Sequence, residues 1–433
     1  GGFWDMREMK DSGVEWIGEI PADWSMIRVK HAFIRKSEKA MQEEPIVLSL
    51  ARSGVRVRDI SNNEGQVAES YFNYNPVAKG DLLLNPMDLY SGANCSISHI
   101  KGVISPAYIN LKSKEGINPV FYDYYFKVQY WLMAFFSYGK GVSFDNRWTL
   151  SVETLMNYPL VMPSYEEQCK RADYLESECK KIDSIVNTQE KIIEKLKAYQ
   201  LSLITETVTK GLNSAVEMKD SGIEFIGAIP NHWKIVKLKF LLTYLIDCPH
   251  ETPTYDADGT YLVIRTADQD LAVLRKDENM FRLSENEYQK RIRRMSLDKD
   301  DIVYGREGGR WGLACLVPES NKYCLGQRML QFRCNRKLFD PQFAVYALSS
   351  STIYLQGSFD TMGSASPHVN ISTVQNYAIA VPPLQEQEYI AKKLQDKCKK
   401  NEFEIKRRQR FIDKITEYKK ALIYEVVTGK KEI

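Results

Sequence analysis

The chain has 433 residues, of which 44% are hydrophobic, 11% aromatic and 27% charged. This composition excludes wholesale disorder and the collagen-like and disulfide-scaffold classes, and the length predicts two or more domains. With 59 Lys plus Arg against 56 Asp plus Glu, the net charge of +3 is too small to indicate a nucleic-acid-binding protein by itself.

No stretch approaches the roughly 18 consecutive apolar residues of a membrane-spanning helix. The polar start, residues 1–10, lacks the apolar core of a signal peptide, so we expect a cytoplasmic protein. The eight cysteines are scattered without a CxxC pair, and the five histidines show no spacing typical of paired metal ligands. We therefore expect reduced thiols and no metal site.

The chain contains a long internal repeat. Residues 9–24 read MKDSGVEWIGEIPADW and residues 218–233 read MKDSGIEFIGAIPNHW, identical at 11 of 16 positions. A second match pairs YPLVMPSYEEQ (158–168) with YAIAVPPLQEQ (377–387), and it continues to LITETVT (203–209) and LIYEVVT (422–428). The middles, 25–157 and 234–376, show little likeness. A common frame therefore carries two different inserts.

Each middle is predicted to be a mixed α/β domain. Short apolar runs predict strands at 45–50, 81–84, 262–265 and 379–382, and longer runs predict helices at 121–136 and 341–356. The two middles share a faint order, because 80–84 parallels 300–304 as a strand that is followed by a polar glycine loop.

A long amphipathic helix is predicted at the end of each copy. Ser164 and Glu167 have the spacing of a capping box, and apolar residues then recur at alternating spacings of three and four. About 44 residues at ~1.5 Å each make a rod of roughly 66 Å, which favours pairing of the two copies. The apolar residues that would form the seam between the paired helices are Leu175, Ile182, Val186, Ile193, Leu196, Leu394, Ile405, Ile412 and Ile415.

The basic run at 392–410 is interpreted as a solvated or partner-docking face, with DNA phosphate contact as the alternative.

The openings, the P-x-x-x-EQ helix starts and the L-I-x-E-x-V-T endings together resemble the specificity subunit of Type I restriction-modification enzymes, over the whole chain. The resemblance implies two α/β target-recognition domains that each read half of a bipartite double-stranded DNA site. Two long antiparallel coiled-coil helices join and separate them with pseudo-twofold symmetry, and each opening packs near the end of the opposite helix. The predicted parts are repeat segments 1–24 and 218–233, recognition domains 25–157 and 234–376, central helix and linker 158–217, and distal helix 377–433.

The resemblance also implies a non-catalytic subunit of a phage-defence and DNA-methylation system. It docks two adenine-N6 methyltransferase subunits, which use S-adenosylmethionine, and motor-nuclease subunits, which use ATP and magnesium. We expect no cofactor in this chain, since it has no Walker A loop and the NPMD sequence at 85–88 lacks the second proline and the aromatic of an amino-methyltransferase tetrad. The rival hypotheses are an independent enzyme and a coiled-coil scaffold that does not touch DNA.

Candidate base-reading residues lie in polar loops beside glycines or aromatics. Arg suits guanine, Asn and Gln suit adenine, and carboxylates suit cytosine; the alternative for each residue is a solvated charge or a turn. In the first domain they are Arg52, Arg56, Arg58, Asp88, Tyr90, Ser91, Asn94, Lys140, Ser143, Asn146, Arg147 and Trp148, and in the second Arg265, Arg306, Glu307, Arg310, Trp311, Gln327, Arg328, Ser366, His368 and Asn370.

Overall fold

A computed structural model describes residues 7–51, 53–59, 70–87, 89, 94–141, 148–275, 277–308, 310–359 and 368–433. The chain divides into two compact units: unit 1 is formed by 1–189 and 410–433, and unit 2 by 190–409. Each unit combines antiparallel sheets with helices, so the predicted mixed α/β class is confirmed.

Unit 1 contains the first opening, the first middle and parts of both long helices. Its helices are α1 (Val29–Ala32), α2 (Pro119–Trp131), α3 (Val152–Met156) and the first part of α4 (Tyr165–Lys210), with a 3-10 turn at Phe136–Tyr138. Its strands are β1 (Met9–Asp11), β2 (Glu19–Pro21), β3 (Ser25–Arg28), β4 (Phe33–Lys36), β5 (Leu48–Ala51), β6 (Gly54–Val57), β7 (Asn75–Val77), β8 (Leu82–Leu84), β9 (Cys95–Ile97), β10 (Gly102–Ile104), β11 (Ile109–Ser113) and β12 (Pro159–Met162).

A four-stranded antiparallel sheet of order β4-β11-β8-β9 organises unit 1. Because side chains alternate along a strand, Leu82 and Leu84 of β8 point to one face and Leu83 to the other. Leu82 and Leu84 pack in the main core with Phe121 and Phe126 of α2. Leu83 packs in a smaller core with residues of β5, β7 and β10. Both faces of β8 are therefore covered, which explains its uniformly apolar sequence.

Unit 2 contains the second opening, the second middle and the remaining helix segments. Its helices are the rest of α4, α5 (Glu285–Arg291), α6 (Pro341–Leu348), α7 (Ser351–Ser358), α8 (Ile371–Gln375) and most of α9 (Leu384–Val427), with 3-10 turns at Leu238–Phe240, Thr266–Asp268 and Asp277–Asn279. Its strands are β13 (Met218–Asp220), β14 (Ala228–Pro230), β15 (Lys234–Lys237), β16 (Leu242–Asp247), β17 (Tyr261–Ile264), β18 (Gln269–Asp270), β19 (Val273–Leu274), β20 (Phe281–Leu283), β21 (Ile302–Gly305), β22 (Ala314–Leu316), β23 (Tyr323–Leu325), β24 (Met329–Cys334) and β25 (Ala378–Val381).

The main sheet of unit 2 repeats that of unit 1. Its order is β16-β24-β21-β22, all antiparallel, and β21 takes the place of β8. Ile302 and Tyr304 point into one core and Val303 into another, as the leucines of β8 do. The predicted correspondence of 80–84 with 300–304 is therefore confirmed. Unit 2 adds a sheet of order β20-β17-β23, in which β17 and β23 are parallel.

Two predicted helices differ from those observed. The single helix predicted at 341–356 is wrong, because α6 and α7 are separated at Ser349 and Ser350. Ser350 has an extended backbone (ψ 157°), and its hydroxyl donates to the Ala347 carbonyl (2.6 Å) in competition with a helical N–H. Ser349 accepts a hydrogen bond from the Ala314 backbone N–H (3.2 Å). The helix predicted at 121–136 ends instead at Trp131, before Met133 takes a positive φ of 58°.

Helices α4 and α9 contact each other within unit 1. Arg171 donates to the Val426 carbonyl (2.8 Å), and Lys419 donates to Asp183 (2.6 Å). The order of these contacts is reversed along the two helices. Seam residues Leu175, Ile182 and Ile412 are buried, and Val186 and Ile415 are half-buried.

The same helices contact each other within unit 2 through a buried amide pair. Asn401 donates to the Gln200 side-chain oxygen (2.8 Å) and to the Leu196 carbonyl (3.0 Å). Ile193 and Leu394 are buried, and Leu196 and Ile405 are half-buried. A buried polar pair in an apolar seam is one way in which helix pairs fix their register.

Candidate nucleic-acid interface

The repeated opening and the repeated helix start of the first copy meet at Trp24, which is buried. Its indole N–H donates to Glu167 (2.8 Å), and the Arg171 guanidinium lies 4.9 Å from the ring centroid. Glu167 also accepts from Arg7 (2.6 Å) and Arg171 (2.7 Å). Arg171 is itself only 1% exposed, so the two repeated motifs meet at a charged joint with a buried guanidinium.

Glu167 is held in its ionised form. Burial opposes its ionisation, but the hydrogen bonds from Arg7, Arg171 and Trp24 outweigh burial and lower its pKa to about 2. The backbone N–H of Glu167 donates to the Ser164 hydroxyl (3.2 Å), as a capping box requires. The carboxylate, however, binds Arg171 one turn later and the distant Arg7 and Trp24, so the helix start serves tertiary structure as well as capping.

The first opening also packs against the end of α9. Ile17, Ile20 and Trp24 share one core with the ending motif of the second copy, namely Leu422, Ile423, Val426 and Val427. A Cβ atom on Gly429 would lie 2.4 Å from the Pro21 side chain, so this position has room for glycine alone. Within unit 1, the opening of one copy is therefore joined to the helix ending of the other.

Unit 2 contains the corresponding joint. The Trp233 indole donates to Glu386 (3.2 Å), and His232 contacts the same carboxylate (2.8 Å). Ile226, Ile229 and Trp233 share a core with Ile204 and Val208 from the ending motif of the first copy. The resemblance implied that each opening packs near the end of the opposite helix, and the cores of both units agree with this. The hydrogen bond from each tryptophan to the glutamate of a helix start was not predicted.

A buried carboxylate begins the same strand of each main sheet. Asp81, before β8, accepts from Lys36 (2.6 Å) and Asn110 (3.3 Å). Asp301, before β21, accepts from Arg333 (2.8 Å) and Gln331 (2.7 Å). Each carboxylate therefore has one cation and one buried amide, and each helps to position the strand that leads into a candidate recognition loop.

The described candidate residues of unit 1 belong to three segments that hydrogen bonds bring together. Asn94 donates to the Ala51 carbonyl, which links the loop before β9 to the β5–β6 hairpin of Arg56 and Arg58. The backbone N–H of Leu89 donates to the Trp148 carbonyl (3.1 Å).

Among these side chains, Arg56 and Lys140 are exposed, whereas the Trp148 indole donates to the Phe136 carbonyl (2.8 Å). The predicted residues Arg52, Asp88, Tyr90, Ser91, Ser143, Asn146 and Arg147 lie outside the described residues.

Two candidate arginines of unit 2 are bound by neighbouring carboxylates. Arg265 donates to both oxygens of Asp268 (2.8 Å each) and lies over the Phe281 ring. Arg310 donates to Asp270 and to the Gln269 carbonyl (2.5 Å each). These contacts hold both guanidinium groups beside β18.

A second group of candidates forms a charged cluster, defined as Asp247, His250, Arg306, Glu307, Arg328 and His368. Arg306 is buried between Asp247 (3.5 Å) and Glu307 (3.3 Å). Glu307 also contacts His368 (3.1 Å) and Arg328 (3.7 Å), and His250 contacts Asp247 (2.8 Å). Sequence reasoning missed Asp247 and His250; their position at and just after the end of a strand was the available signal.

The other candidates of unit 2 have structural contacts. Trp311 is buried and stacks on Tyr354, with ring centroids 4.4 Å apart. Gln327 donates to Thr252 (3.0 Å), and Asn370 is the N-cap of α8. Ser366 lies outside the described residues.

Metal-binding arrangements of three or more His, Cys, Asp or Glu side chains do not occur within the described part of the chain. Of the helices that the described residues form, none combines the length and apolar character required for a membrane span.

Comparison with known proteins gives a consistent result. The family model of the Type I restriction modification DNA specificity domain matches residues 230–410. The Type I restriction enzyme MjaVIII specificity subunit of Methanocaldococcus jannaschii is 23% identical over 437 residues, covering 95% of this chain and 93% of the relative. A solved structure of complex assembly in the type I R-M system contains a chain with 12% identity and a TM-score of 0.67, covering 95% of this chain and 99% of that one. The predicted resemblance is confirmed.

Proposed function

We propose that this chain, which resembles Type I restriction-modification specificity subunits in sequence and in fold, selects the DNA sequence on which such an enzyme acts. Its middles, 25–157 and 234–376, are two target-recognition domains, and each reads one half of a bipartite double-stranded site. The chain itself is non-catalytic. It brings adenine-N6 methyltransferase subunits, which use S-adenosylmethionine, and motor-nuclease subunits, which use ATP and magnesium, to the chosen sequence.

The observation that carries this proposal is the repetition of one scaffold with different loops. Both main sheets have the same strand order, and a buried aspartate begins the corresponding strand of each. The loops that follow carry different polar residues, such as Asn94 in unit 1 and the charged cluster in unit 2. Two readers of unlike half-sites need a common support and different contact residues, and this division supplies both.

The long helices support the proposed division of the site. We infer that α4 and α9, of 46 and 44 residues, form an antiparallel coiled coil that sets the spacer and docks two methyltransferase subunits. Half-sites one turn of DNA apart require reading modules roughly 34 Å apart, a distance that a helix of about 23 residues covers. The contacts of Asp183 with Lys419 and of Gln200 with Asn401 fit the antiparallel pairing.

The proposal is tested by replacing residues 234–376 with the second recognition domain of another Type I specificity subunit. The hybrid and the parent are each expressed with the cognate methyltransferase, and methylated adenines are mapped by single-molecule sequencing. We expect the parent to produce a split motif and the hybrid to change one half of it, because unit 1 and its contacts are unaltered.

Two results would contradict the proposal. A change in both half-sites would show that the domains do not read independently. If the parent formed a soluble complex with the methyltransferase but produced no motif, the rival hypothesis of a scaffold that does not touch DNA would be favoured.

A further inference from the structure

The four arginines predicted to read DNA in unit 2 differ in what their guanidinium groups still offer. Arg265 and Arg310 hydrogen-bond to Asp268 and Asp270, and Arg306 is only 4% exposed. The Arg328 side chain is 56% exposed. Its contact with Glu307, at 3.7 Å, is an ion pair longer than a hydrogen bond, and its guanidinium makes no hydrogen bond to any residue that the structure describes. Its donors are therefore available.

The backbone presents Arg328 in an uncommon conformation. Its φ is +70°, in the left-handed region of backbone conformation, which residues other than glycine, Asn and Asp rarely adopt. Arg306 donates its backbone N–H to the Arg328 carbonyl (3.1 Å), so a neighbouring strand end holds this conformation in place. Observed strain of this kind is concentrated at functional sites, where the surrounding structure imposes it.

The charged cluster gathers at one end of the main sheet. Asp247 ends β16 opposite Leu330, and Gly305 ends β21 opposite Met329. Arg306, which follows β21, and Arg328, which precedes β24, therefore lie at the same end of the sheet. Charges alternate from Asp247 through Arg306 and Glu307 to Arg328. Arg306, the buried member, is paired with both carboxylates, and the contacts continue from Glu307 to the exposed Arg328.

Two atoms within this cluster are left incompletely satisfied. Asp247 Oδ1 and Arg306 Nε are buried and have no hydrogen-bond partner among the residues that the structure describes, although they lie 3.5 Å apart. A buried polar group without a partner is costly, and functional sites retain such groups where a position must be fixed for another purpose. Arg306 is only 4% exposed, so it can influence a ligand only through its neighbours in the cluster.

We propose that Arg328 reads a guanine in the half-site of unit 2 and that Glu307 and Arg306 are positioning residues for it. Arginine meets guanine through two parallel hydrogen bonds to O6 and N7, a geometry that needs a guanidinium with free donors and a fixed direction. This inference rests on the proposed function and assigns one base of the site to one side chain.

The experiment compares four full-length variants with the parent, each coexpressed with the methyltransferase. Arg328→Gly removes the guanidinium and relieves the positive φ, Arg328→Lys keeps the charge without the planar fork, and Glu307→Gln removes the positioning charge. Arg336→Ala is the matched control, because Arg336 is also an exposed arginine (65%) paired with a carboxylate, Asp300, at the other end of β24. Methylated motifs are mapped by single-molecule sequencing, and melting temperatures of the purified complexes are measured.

We expect Arg328→Gly to lose preference for guanine at one position of one half-site by roughly 10- to 100-fold, with the other half-site unchanged. Its melting temperature should be equal to or above that of the parent, because glycine accepts the positive φ. Arg328→Lys should relax the same position, since lysine cannot bind both acceptors in one plane. Glu307→Gln should relax it less, and Arg336→Ala should leave the motif unchanged.

Other outcomes overturn the assignment. Uniform weakening of methylation over all sequences in Arg328→Gly would identify a phosphate contact, and an unaltered motif would show that Arg328 reads nothing. Retention of the motif in Arg328→Lys would exclude bidentate reading. In each of these cases the parent still yields a split motif, whereas failure of the proposed function would remove the parent's motif itself.

Discussion

The buried carboxylates of the two main sheets are paired with different cations. Asp81 in unit 1 and Asp301 in unit 2 occupy the same place, and both need a cation and an amide. Unit 1 takes its cation, Lys36, from β4, whereas unit 2 takes Arg333 from β24. The two domains therefore keep the aspartate, whereas the residue and the strand that supply its cation differ.

The two tryptophan joints keep the same glutamate acceptor but differ in a neighbouring side chain. Trp24 and Trp233 are both buried and both donate to a glutamate. In unit 1 the charged Arg171 lies over the Trp24 ring, but the matching position in unit 2 is Ile390, which is buried. Arg171 thus adds a buried charge to the joint of unit 1 where unit 2 has an apolar side chain, although both tryptophans lie in apolar cores.

The largest expected effect on stability comes from removing each tryptophan. Trp24→Ala and Trp233→Ala should each cost about 4 kcal/mol of unfolding free energy, because each deletes a fully buried ring. We expect the loss to be greater for Trp24, since Arg171 would also lose its aromatic contact and remain buried. Urea unfolding followed by circular dichroism measures both changes, with Trp24→Phe as a control that keeps a ring. A greater loss for Trp233 would contradict the proposed difference between the joints.

A smaller effect is expected at the sheet carboxylates. Asp81→Asn and Asp301→Asn should each cost about 2 kcal/mol, because a half-buried cation loses its partner. Double-mutant cycles with Lys36→Met and Arg333→Met should give a larger coupling energy for Arg333, which binds both oxygens of Asp301. Asp300→Asn is the control, because its pair with Arg336 is exposed and should contribute little. Equal coupling energies would show that bidentate geometry adds nothing here.

The smallest predicted effect is on the stability of the folded chain at low pH. Because the folded state lowers the pKa of Glu167 to about 2, against an ordinary value of 4.5, the carboxylate contributes stability that is complete above about pH 5. This stability is lost as the pH falls toward 2. Solvent screening limits the contribution to roughly 1 kcal/mol.

Glu167→Gln should therefore flatten the dependence of stability on pH between 5 and 2. Trp24→Phe, which removes only one donor, should flatten it partly. Thermal unfolding across this range measures the slope, and an unchanged slope in Glu167→Gln would show that other groups govern acid unfolding of unit 1.

Local patterns in the sequence predicted much of the fold. The heptad seam predicted α4 and α9, and the apolar runs predicted β8, β17 and β25, because periodicity within a segment reports its own burial. The break between α6 and α7 was not predictable in this way, since Ser349 there contacts the Ala314 N–H of a strand 35 residues away, which no local pattern reports.

The candidate site was predicted less completely for the same physical reason. Residue types beside glycines indicated Arg306, Glu307 and Arg328, but nothing local showed that Glu307 contacts Arg306, Arg328 and His368 together. Asp247 joins that cluster from β16, about 60 residues earlier in the chain, and only sheet pairing brings it there.

The buried Arg171 has a consequence for the order of folding during synthesis. Its guanidinium donates to the carbonyls of Val426 and Lys431, more than 250 residues later, and Trp24 packs on the same helix end. Unit 2 is continuous in sequence and can fold once residue 409 has left the ribosome, whereas unit 1 must wait for 410–433. The first half of the chain to be made is therefore the last to be finished, and until then Ile17, Ile20 and Trp24 expose an apolar surface that a chaperone would recognise.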